Sequence, residues 1–466
     1  MIKTELLITM PEFKKCQTLK GGLDLNFSSD TRHYKDGLFL AITGEKYNAV
    51  DYLESVLNKG CQYIVYTESE SNNEKVKKIS AKYPKTFFTA TNDSVAFLQR
   101  LASIHTEEFS KKKTIVGISG SNGKTTNKEM LFHLLDYVAP KKVIKTEANN
   151  NNHIGVPLTV LSIQRETEIA IIELGSNHPG EMKVVCDIAN PNYGIVTNIG
   201  ATHLEFFETE AAVFKEEGVL YYSVKDHPNK NKFFLMNMDD QFTQTYKKES
   251  WVQTFGLSHK SEAVIQIDAP QVKITTKDYE VVLKNTEITG GHNYFNLAAC
   301  FLMAHKILPT KKEQLVKAAG TFVPKTNRSS WIKHHEKDVF LDAYNANPSS
   351  MKAAIKSFAE HCQSKSTLSK SVVVLGDMNE LGKTTEQYHK EVASFLSQFD
   401  FPMAFFVGRY ANFYADSYSK KFQTFKDVGQ LKSQGFSKAF ASYDYLFIKG
   451  SRSLQLESLL DINEHT

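Results

Sequence analysis

One glycine-rich turn constrains this chain more than any other feature. Gly120-Ser121-Asn122-Gly123-Lys124-Thr125-Thr126 follows the apolar run Thr114-Ile115-Val116-Gly117-Ile118. It precedes Met130, Leu131, Leu134, Leu135 and Val138, which mark one face of a helix. A buried strand leading through glycines into an amphipathic helix is the opening unit of a parallel α/β sheet. Similar runs recur at 169–174, 193–199, 233–238, 339–341, 372–375, 403–407 and 445–448. Glycine or polar residues follow nearly every one, including Gly175-Ser176, Gly200-Ala201-Thr202-His203, Asp342-Ala343-Tyr344-Asn345 and Gly450-Ser451-Arg452. Open α/β sheets bind ligands at the carboxyl ends of their strands. The spacing therefore predicts an α/β protein with two mostly parallel sheets that share an active site between them.

The turn itself points to a nucleotide. Glycines let backbone N–H groups wrap phosphate oxygens, and the following helix N-terminus adds its dipole. Lys124 can place a charge among the phosphates, and Thr125 can offer its hydroxyl to Mg²⁺. Only two residues separate the glycines, where the usual nucleotide loop has four, so a plain glycine turn beside a chance lysine is the bland alternative. Mg²⁺ keeps several waters, so a threonine and one or two further ligands suffice. Glu173 ends one apolar run and His203 lies just beyond the next. Both suit a metal site beside phosphate; both also suit ordinary structural roles.

The 466 residues correspond to about three domains at ~150 residues each. The charged run Glu107-Glu108-Phe109-Ser110-Lys111-Lys112-Lys113 reads as a linker or a helix end, and Leu308-Pro309-Thr310 as a second junction. The expected domains are 1–109, 110–308 and 309–466. A net charge of +4 with the signs mixed excludes a nucleic-acid footprint. The apolar run 297–304 is far too short to span a bilayer. Five scattered cysteines without a CxxC pair argue against a disulfide framework or zinc site. With no basic-then-apolar leader visible, a soluble cytoplasmic protein is expected. Only six of the 56 basic residues are arginine: Arg32, Arg100, Arg165, Arg328, Arg409 and Arg452. Where lysine is the default cation, each planar fork raises the question of its use.

The phosphate loop, Asn149-Asn150-Asn151-Asn152-His153-Ile154-Gly155-Val156-Pro157, Glu173-Leu174-Gly175-Ser176-Asn177-His178-Pro179-Gly180-Glu181 and Thr202-His203-Leu204-Glu205 occur in an order that resembles the Mur ligases. These are ATP-dependent amide-forming enzymes of peptidoglycan synthesis. Gly290-Gly291-His292-Asn293-Tyr294-Phe295-Asn296, Asp342-Ala343-Tyr344-Asn345-Ala346-Asn347-Pro348, Leu375-Gly376-Asp377-Met378-Asn379-Glu380-Leu381-Gly382 and Lys449-Gly450-Ser451-Arg452 are similar to the member that adds D-alanyl-D-alanine. Ser29-Asp30-Thr31-Arg32 and Gly37-Leu38-Phe39 match more weakly the part that holds a UDP-sugar.

The resemblance implies three domains: an N-terminal α/β UDP-sugar domain, a central P-loop-type ATPase domain and a C-terminal Rossmann-like domain. It implies ATP and Mg²⁺, with UDP-N-acetylmuramoyl-tripeptide and D-alanyl-D-alanine as substrates, an acyl-phosphate intermediate and a monomer. Catalytic roles would fall to Lys124, Glu173, His203 and Glu217. Metal contacts would come from Thr125, Glu173 and His203. ATP would meet Gly120, Ser121, Asn122, Gly123, Lys124, Thr125, Thr126, Asn293, Asn296 and Arg328. The other substrates would meet Ser29, Asp30, Arg32, Asn149, Asn151, Asn152, Asp342, Tyr344, Asn345, Asn347 and Arg452. Asn345 and Asn347 also suit simple turn roles before Pro348.

Four departures stand out. Ala148 replaces a glycine common before the asparagines, and His153 replaces a common acidic residue. The usual acidic pair before Tyr344 is reduced to Leu341-Asp342. Many members also carry, about fourteen residues after the metal histidine, a lysine carbamylated into an anion; this chain has Glu217 there, with Lys215 two positions earlier. Two residues turn a helical side chain ~200° away, so Lys215 cannot substitute without a register change. Glu217 is expected to supply the carboxylate itself; a surface acid is the alternative. A sister ligase adding another amino acid, an unrelated phosphotransferase, and a non-catalytic binding protein on the same scaffold remain competing readings.

Overall fold

Three main sheets follow one another along the chain in this computed structural model, beside a small antiparallel pair of Ile2–Lys3 with Asp24–Leu25; the structure describes residues 1–44, 47–324 and 328–460. The first contains β1 (Phe27–Ser28), β2 (Leu38–Ala41), β3 (Tyr63–Thr67) and β4 (Phe87–Thr91), all parallel and in chain order. Helix α1 (Ser94–Ser110) comes next, its first turn capped by Asp93, which accepts from the N–H groups of Val95 and Ala96. Phe97, Leu98, Leu101 and Ala102 on α1 join one buried cluster with Leu38 and Val65 on one side and Val156, Val160 and Val185 on the other. This helix therefore cements the first sheet to the central one. It runs through Ser110, and Thr106 donates to the carbonyl of Ile188, so the charged run at 107–113 starts as a helix end rather than a free linker.

The central sheet holds β5 (Thr114–Ser119), β6 (Val143–Lys145), β7 (Ile169–Glu173), β8 (Tyr193–Val196), β9 (Phe233–Asn237), β10 (Val252–Gly256), β11 (Ala263–Asp268), β12 (Gln271–Thr275) and β13 (Glu280–Lys284). Their order is β13-β12-β11-β10-β9-β8-β5-β7-β6, parallel from β6 to β11 and antiparallel through the last two hairpins. Burial on both faces explains why β5, β7, β8 and β9 read as continuous apolar runs. The chain leaves β5 to one side for β6 and β7, then crosses to the other for β8. That reversal opens a crevice at the carboxyl end of β5, where the glycine turn enters helix α2 (Lys124–Val138). Helices α3 (Glu181–Ala189) and α4 (Glu210–Glu217) flank the same edge.

Helix α5 (Gly291–Ile307) packs against α2, and α6 (Lys312–Ala319) comes closely after it. Leu315, Ala318 and Ala319 of α6, with Phe322 beyond it, lie in the same core as Met130, Leu134 and Phe301. The central packing unit thus continues past the expected boundary at 308, because α6 buries its apolar face there. The junction expected at Leu308-Pro309-Thr310 lies inside that unit.

The last sheet contains β14 (Ser330–His334), β15 (Lys337–Asp342), β16 (Ser371–Gly376), β17 (Ala404–Val407), β18 (Phe422–Phe425) and β19 (Tyr445–Lys449). The order is β14-β15-β19-β16-β17-β18, and all pairs are parallel except β14 with β15. Helix α7 (Pro348–Ser364) begins in a capping box: Asn347 accepts from the N–H of Ser350, whose hydroxyl receives the N–H of Asn347. Helix α8 (Thr385–Leu396) lies beside α7. Among the described residues no helix is long and apolar enough to cross a membrane.

One departure noted in the sequence has a structural cost. Ala148 adopts φ +48°, the left-handed region. A non-glycine residue loses about 1–2 kcal/mol there, and glycine's extra chain entropy offsets roughly 0.5–1 of it. Ala148→Gly is expected to stabilise the protein by about 0.5–1 kcal/mol, read as a raised thermal midpoint. An unchanged or lower midpoint would show that the loop carries no such strain.

Candidate active site

The phosphate loop is held in shape by its neighbours. Gly120 has φ +121°, and a Cβ there would lie 2.3 Å from Thr197 Oγ1. Its N–H donates to Glu217 Oε2 at 2.9 Å. Ser121 Oγ receives the N–H of Gly200 at 2.9 Å, and the carbonyl of Asn122 accepts from Thr197 Oγ1 at 2.6 Å. Gly123, at φ +80°, turns the chain into α2. Lys124 Nζ donates to the carbonyl of Gly120 and stands 3.9 Å from Glu217 Oε1. Glu217 is only 3% exposed. It faces the loop, whereas Lys215, two residues earlier on α4, is exposed. Neighbouring Glu216 fixes the start of α3 instead, accepting from Ser176 Oγ and from the N–H groups of Gly180 and Met182.

At the end of β7, Glu173 is 2% exposed. Its Oε1 accepts from Thr125 Oγ1 and from Asn151 Nδ2, each at 3.0 Å. Its Oε2 lies 3.3 Å from the ammonium of Lys128, which is wholly buried on α2 and donates to the carbonyl of Ala148 at 3.2 Å. Thr125 and Glu173 are therefore bonded to each other, and His203 follows Thr202, whose hydroxyl donates to Ser121 Oγ of the loop at 3.2 Å. His203 Nδ1 is paired with Glu380 Oε2, from the loop after β16. That imidazole holds the Glu380 carboxyl below its ordinary range, against the opposing effect of burial. Among the described residues no three His, Cys, Asp or Glu side chains gather into a metal cage. A hydroxyl and one carboxylate beside a phosphate loop instead suit Mg²⁺, which takes the rest of its shell from phosphate and water.

The last sheet closes over this loop. Asn347 Nδ2 donates to Asn122 Oδ1 at 2.6 Å, and Asn122 Nδ2 donates to Ser349 Oγ at 2.9 Å. The N-terminus of α7 thereby meets the phosphate loop, so two helix N-termini border one site. At the end of β15, Asp342 accepts from buried Lys449 at 2.6 Å, and Lys449 also donates to the carbonyl of Asn345 at 2.9 Å. The Arg328 guanidinium lies 3.8 Å from the centre of the Tyr344 ring. From α5, Asn296 accepts from Asn127 at 3.1 Å, directly behind Gly123. Asn293 donates to the carbonyl of Thr289 at 2.8 Å. Thr126 sits in the first turn of α2.

Other expected residues lie elsewhere. Asp30 accepts from Arg32 Nε and Nη2 at 3.0 and 2.8 Å, and that guanidinium holds its carboxyl well below the usual range. With Ser29 they form a separate, partly exposed group beside the first sheet. Asn149 is exposed, and Asn152 caps the next helix by accepting from Ile154 and Gly155. Arg452 pairs with Glu457 in its own C-terminal segment. The sequence reading gave no role to Lys128, Glu216, Ser349, Glu380 or Lys449, although Glu380 and Lys449 lie inside segments that carry the family resemblance. Lys128 carried a signal, since it shares a helical stripe with Leu131 and Leu135, three and seven residues on.

Comparison with known proteins accords with this geometry. The Mur ligase middle domain matches residues 118–304, and the Mur ligase, glutamate ligase domain matches 327–452. A protein of Bacillus subtilis named UDP-N-acetylmuramoyl-tripeptide–D-alanyl-D-alanine ligase is 29% identical, covering 93% of this chain and 92% of its own. One of the same name from Rickettsia prowazekii is 28% identical, covering 92% of each. The fold is shared with MurF from Acinetobacter baumannii, at a TM-score of 0.77 and 23% identity, over 94% of this chain and 92% of the other. It is shared also with MurF ligase from Thermotoga maritima in complex with ADP, at 0.75 and 22%, over 94% and 96%. The two family matches together span well over half the sequence and bracket the phosphate loop and the segments that close on it: the chain belongs to the Mur ligase family.

Proposed function

We propose that this chain is an ATP-dependent ligase that joins D-alanyl-D-alanine to UDP-N-acetylmuramoyl-tripeptide. The observation that carries this reading is the contact of Asn122 with Asn347 and Ser349, which makes one site from two sets of strand ends. The near full-length relatives bearing that name support the substrate assignment. The first sheet would hold the UDP-sugar through Ser29, Asp30 and Arg32. The central sheet, with α5 and α6, would hold ATP, and the last sheet would deliver the dipeptide. All five cysteines are free thiols, in keeping with a reducing cytoplasm.

In this reading the tripeptide carboxylate attacks the γ-phosphorus of ATP, and ADP leaves with the bridging electron pair. The amine of D-alanyl-D-alanine then attacks the acyl-phosphate carbonyl. Collapse of the tetrahedral adduct expels phosphate, and the amine proton passes to a base or solvent. The N–H groups of the loop and the N-termini of α2 and α7 stabilise phosphoryl oxygens, and Lys124 swings from the Gly120 carbonyl to add a point charge. Thr125 and Glu173 would hold Mg²⁺, which when bound neutralises charge on the phosphates. Glu217 anchors Gly120 and faces Lys124, fixing both ends of the loop's charge pattern. Arg328, over the ring of Tyr344, is suited to border the nucleotide; Asp342 and Asn345 are braced by Lys449.

Phosphate release from ATP should require both UDP-N-acetylmuramoyl-tripeptide and D-alanyl-D-alanine. Release with neither, or with another amino acid in place of the dipeptide, would overturn the assignment; no release under any pairing would leave a binding protein on this scaffold. Glu217→Gln keeps one acceptor but removes the charge beside Lys124, and turnover should fall about 10- to 100-fold, worth roughly 1.4–2.8 kcal/mol of barrier. Lys215→Gln should stay within about twofold. Unchanged turnover in Glu217→Gln, or a carbamate on Lys215 seen by mass spectrometry, would refute the role given to Glu217.

A further inference from the structure

Resting on the reading of a metal-assisted nucleotide site, we propose that Glu380 is a positioning residue for His203, so that closure of the last sheet sets which imidazole nitrogen faces the phosphates. His203 belongs to the loop after β8, and Glu380 to the loop after β16. Their side chains pair through His203 Nδ1 and Glu380 Oε2. The main chains join at the same place, where the N–H of Glu205 donates to the carbonyl of Glu380 at 2.9 Å. Gly382, at φ +55°, allows this approach, since a Cβ there would sit 3.0 Å from Glu205 Cα. Tyr388 packs on the small cluster of Ala201, Leu204, Phe207 and Val213 beneath it.

Both partners are aimed by their backbones. His203 has φ +53° and Glu380 φ +63°, conformations that non-glycine residues keep only where surrounding contacts enforce them. The Glu380 loop is anchored on each side. The N–H of Asn379 donates to Ser451 Oγ at 3.1 Å, and the N–H of Met378 to His389 Nε2 at 3.2 Å. A carboxylate on Nδ1 places the proton there and leaves the Nε2 lone pair free for a cation or its water. Among the described residues none makes a hydrogen bond to Nε2. Nδ1 is shielded from water while about a fifth of the side chain remains exposed, so the open part of the ring lies away from Nδ1.

In an open arrangement Glu380 would leave with the last sheet, and the imidazole would lose both its tautomer and its orientation. One end of the cation site is thereby built only when the sheet that carries Asn347 and Ser349 is in place. The arrangement links readiness of the phosphate site to arrival of the dipeptide-binding half.

The test uses the full chain. Mn²⁺ affinity in the presence of adenosine 5′-(β,γ-methylene)triphosphate is measured by electron paramagnetic resonance for wild type, Glu380→Gln, His203→Ala and the double variant. Glu380→Gln should weaken Mn²⁺ binding about 10-fold, within the 10- to 100-fold range typical of residues that orient metal ligands. Affinity for the analogue without metal and the thermal midpoint should not change. The double variant should bind Mn²⁺ no more weakly than His203→Ala alone. Unchanged Mn²⁺ affinity in Glu380→Gln, or additive losses in the double variant, would overturn the proposal. Nitrogen-15 shifts of His203 in the wild-type complex give a measurement without any variant: a proton on Nδ1 supports it, and a proton on Nε2 overturns it. Wild type that binds Mn²⁺ and nucleotide yet releases no phosphate with both substrates would refute the ligase reading, while these measurements would still decide the role of Glu380.

Discussion

Lys128 is wholly buried, and a positive charge removed from water must be answered by the protein around it. Its answer is the site. Glu173 stands 3.3 Å away, Glu129 at 3.4 Å, and the Ala148 carbonyl accepts at 3.2 Å. Glu129 also pairs with Lys145 at 2.5 Å, so two cations and two carboxylates balance beneath the phosphate loop. Removing one member of such a buried set leaves an unpaired charge, at a cost of about 3–5 kcal/mol. The same contacts join α2, the end of β7 and the asparagine loop. Glu173 is therefore aimed at Thr125 by the fold itself. The left-handed Ala148 has the same origin, because its carbonyl is one of the groups that Lys128 needs.

Much of this was legible because the relevant signals are local. Buried parallel strands read as β-branched runs, and residues just beyond a strand's carboxyl end lie where ligands bind. Gly120, Thr125, Glu173, Asp342 and Asn347 could therefore be found from one pass along the chain. Helical register separated Glu217 from Lys215, and the structure places the first against the loop and the second in solvent. The residues that escaped were set by packing between distant segments. Glu380 and Ser349 matter because two sheets meet, and although the strand-end pattern predicts a shared site, no spacing along the chain says which side chains touch across it. The junction after the central unit was misplaced for a related reason. Pro309 looks like a break, yet α6 beyond it still has an apolar face that only the core beside α2 and α5 can cover.

The arginines obey the logic of shape rather than of charge. Arg328 lies over the ring of Tyr344, and Arg32 grips Asp30 through two nitrogens, a use that needs a planar fork. Arg452 and Arg100 serve acids within their own neighbourhoods, Glu457 and Glu12. Where a point charge suffices, as at Lys124, Lys128 and Lys449, lysine is used. A chain with a net charge of only +4 can thus meet anionic substrates without an extended basic face.

Glu217 shows what a carboxylate written into the sequence changes. A carbamylated lysine exists only while carbon dioxide is bound, whereas the carboxyl of a glutamate is part of the chain itself. Buried beside the loop, that carboxyl needs hydrogen-bonding and charged partners. It has them: the Gly120 N–H on Oε2 and the Lys124 ammonium 3.9 Å from Oε1. Glu217 and the Gly120 carbonyl together hold Lys124 against the loop. A residue that differs from the common family pattern thus ties the first glycine of the loop and its lysine to one buried carboxyl, so the two ends of the loop's charge pattern are set by a single side chain.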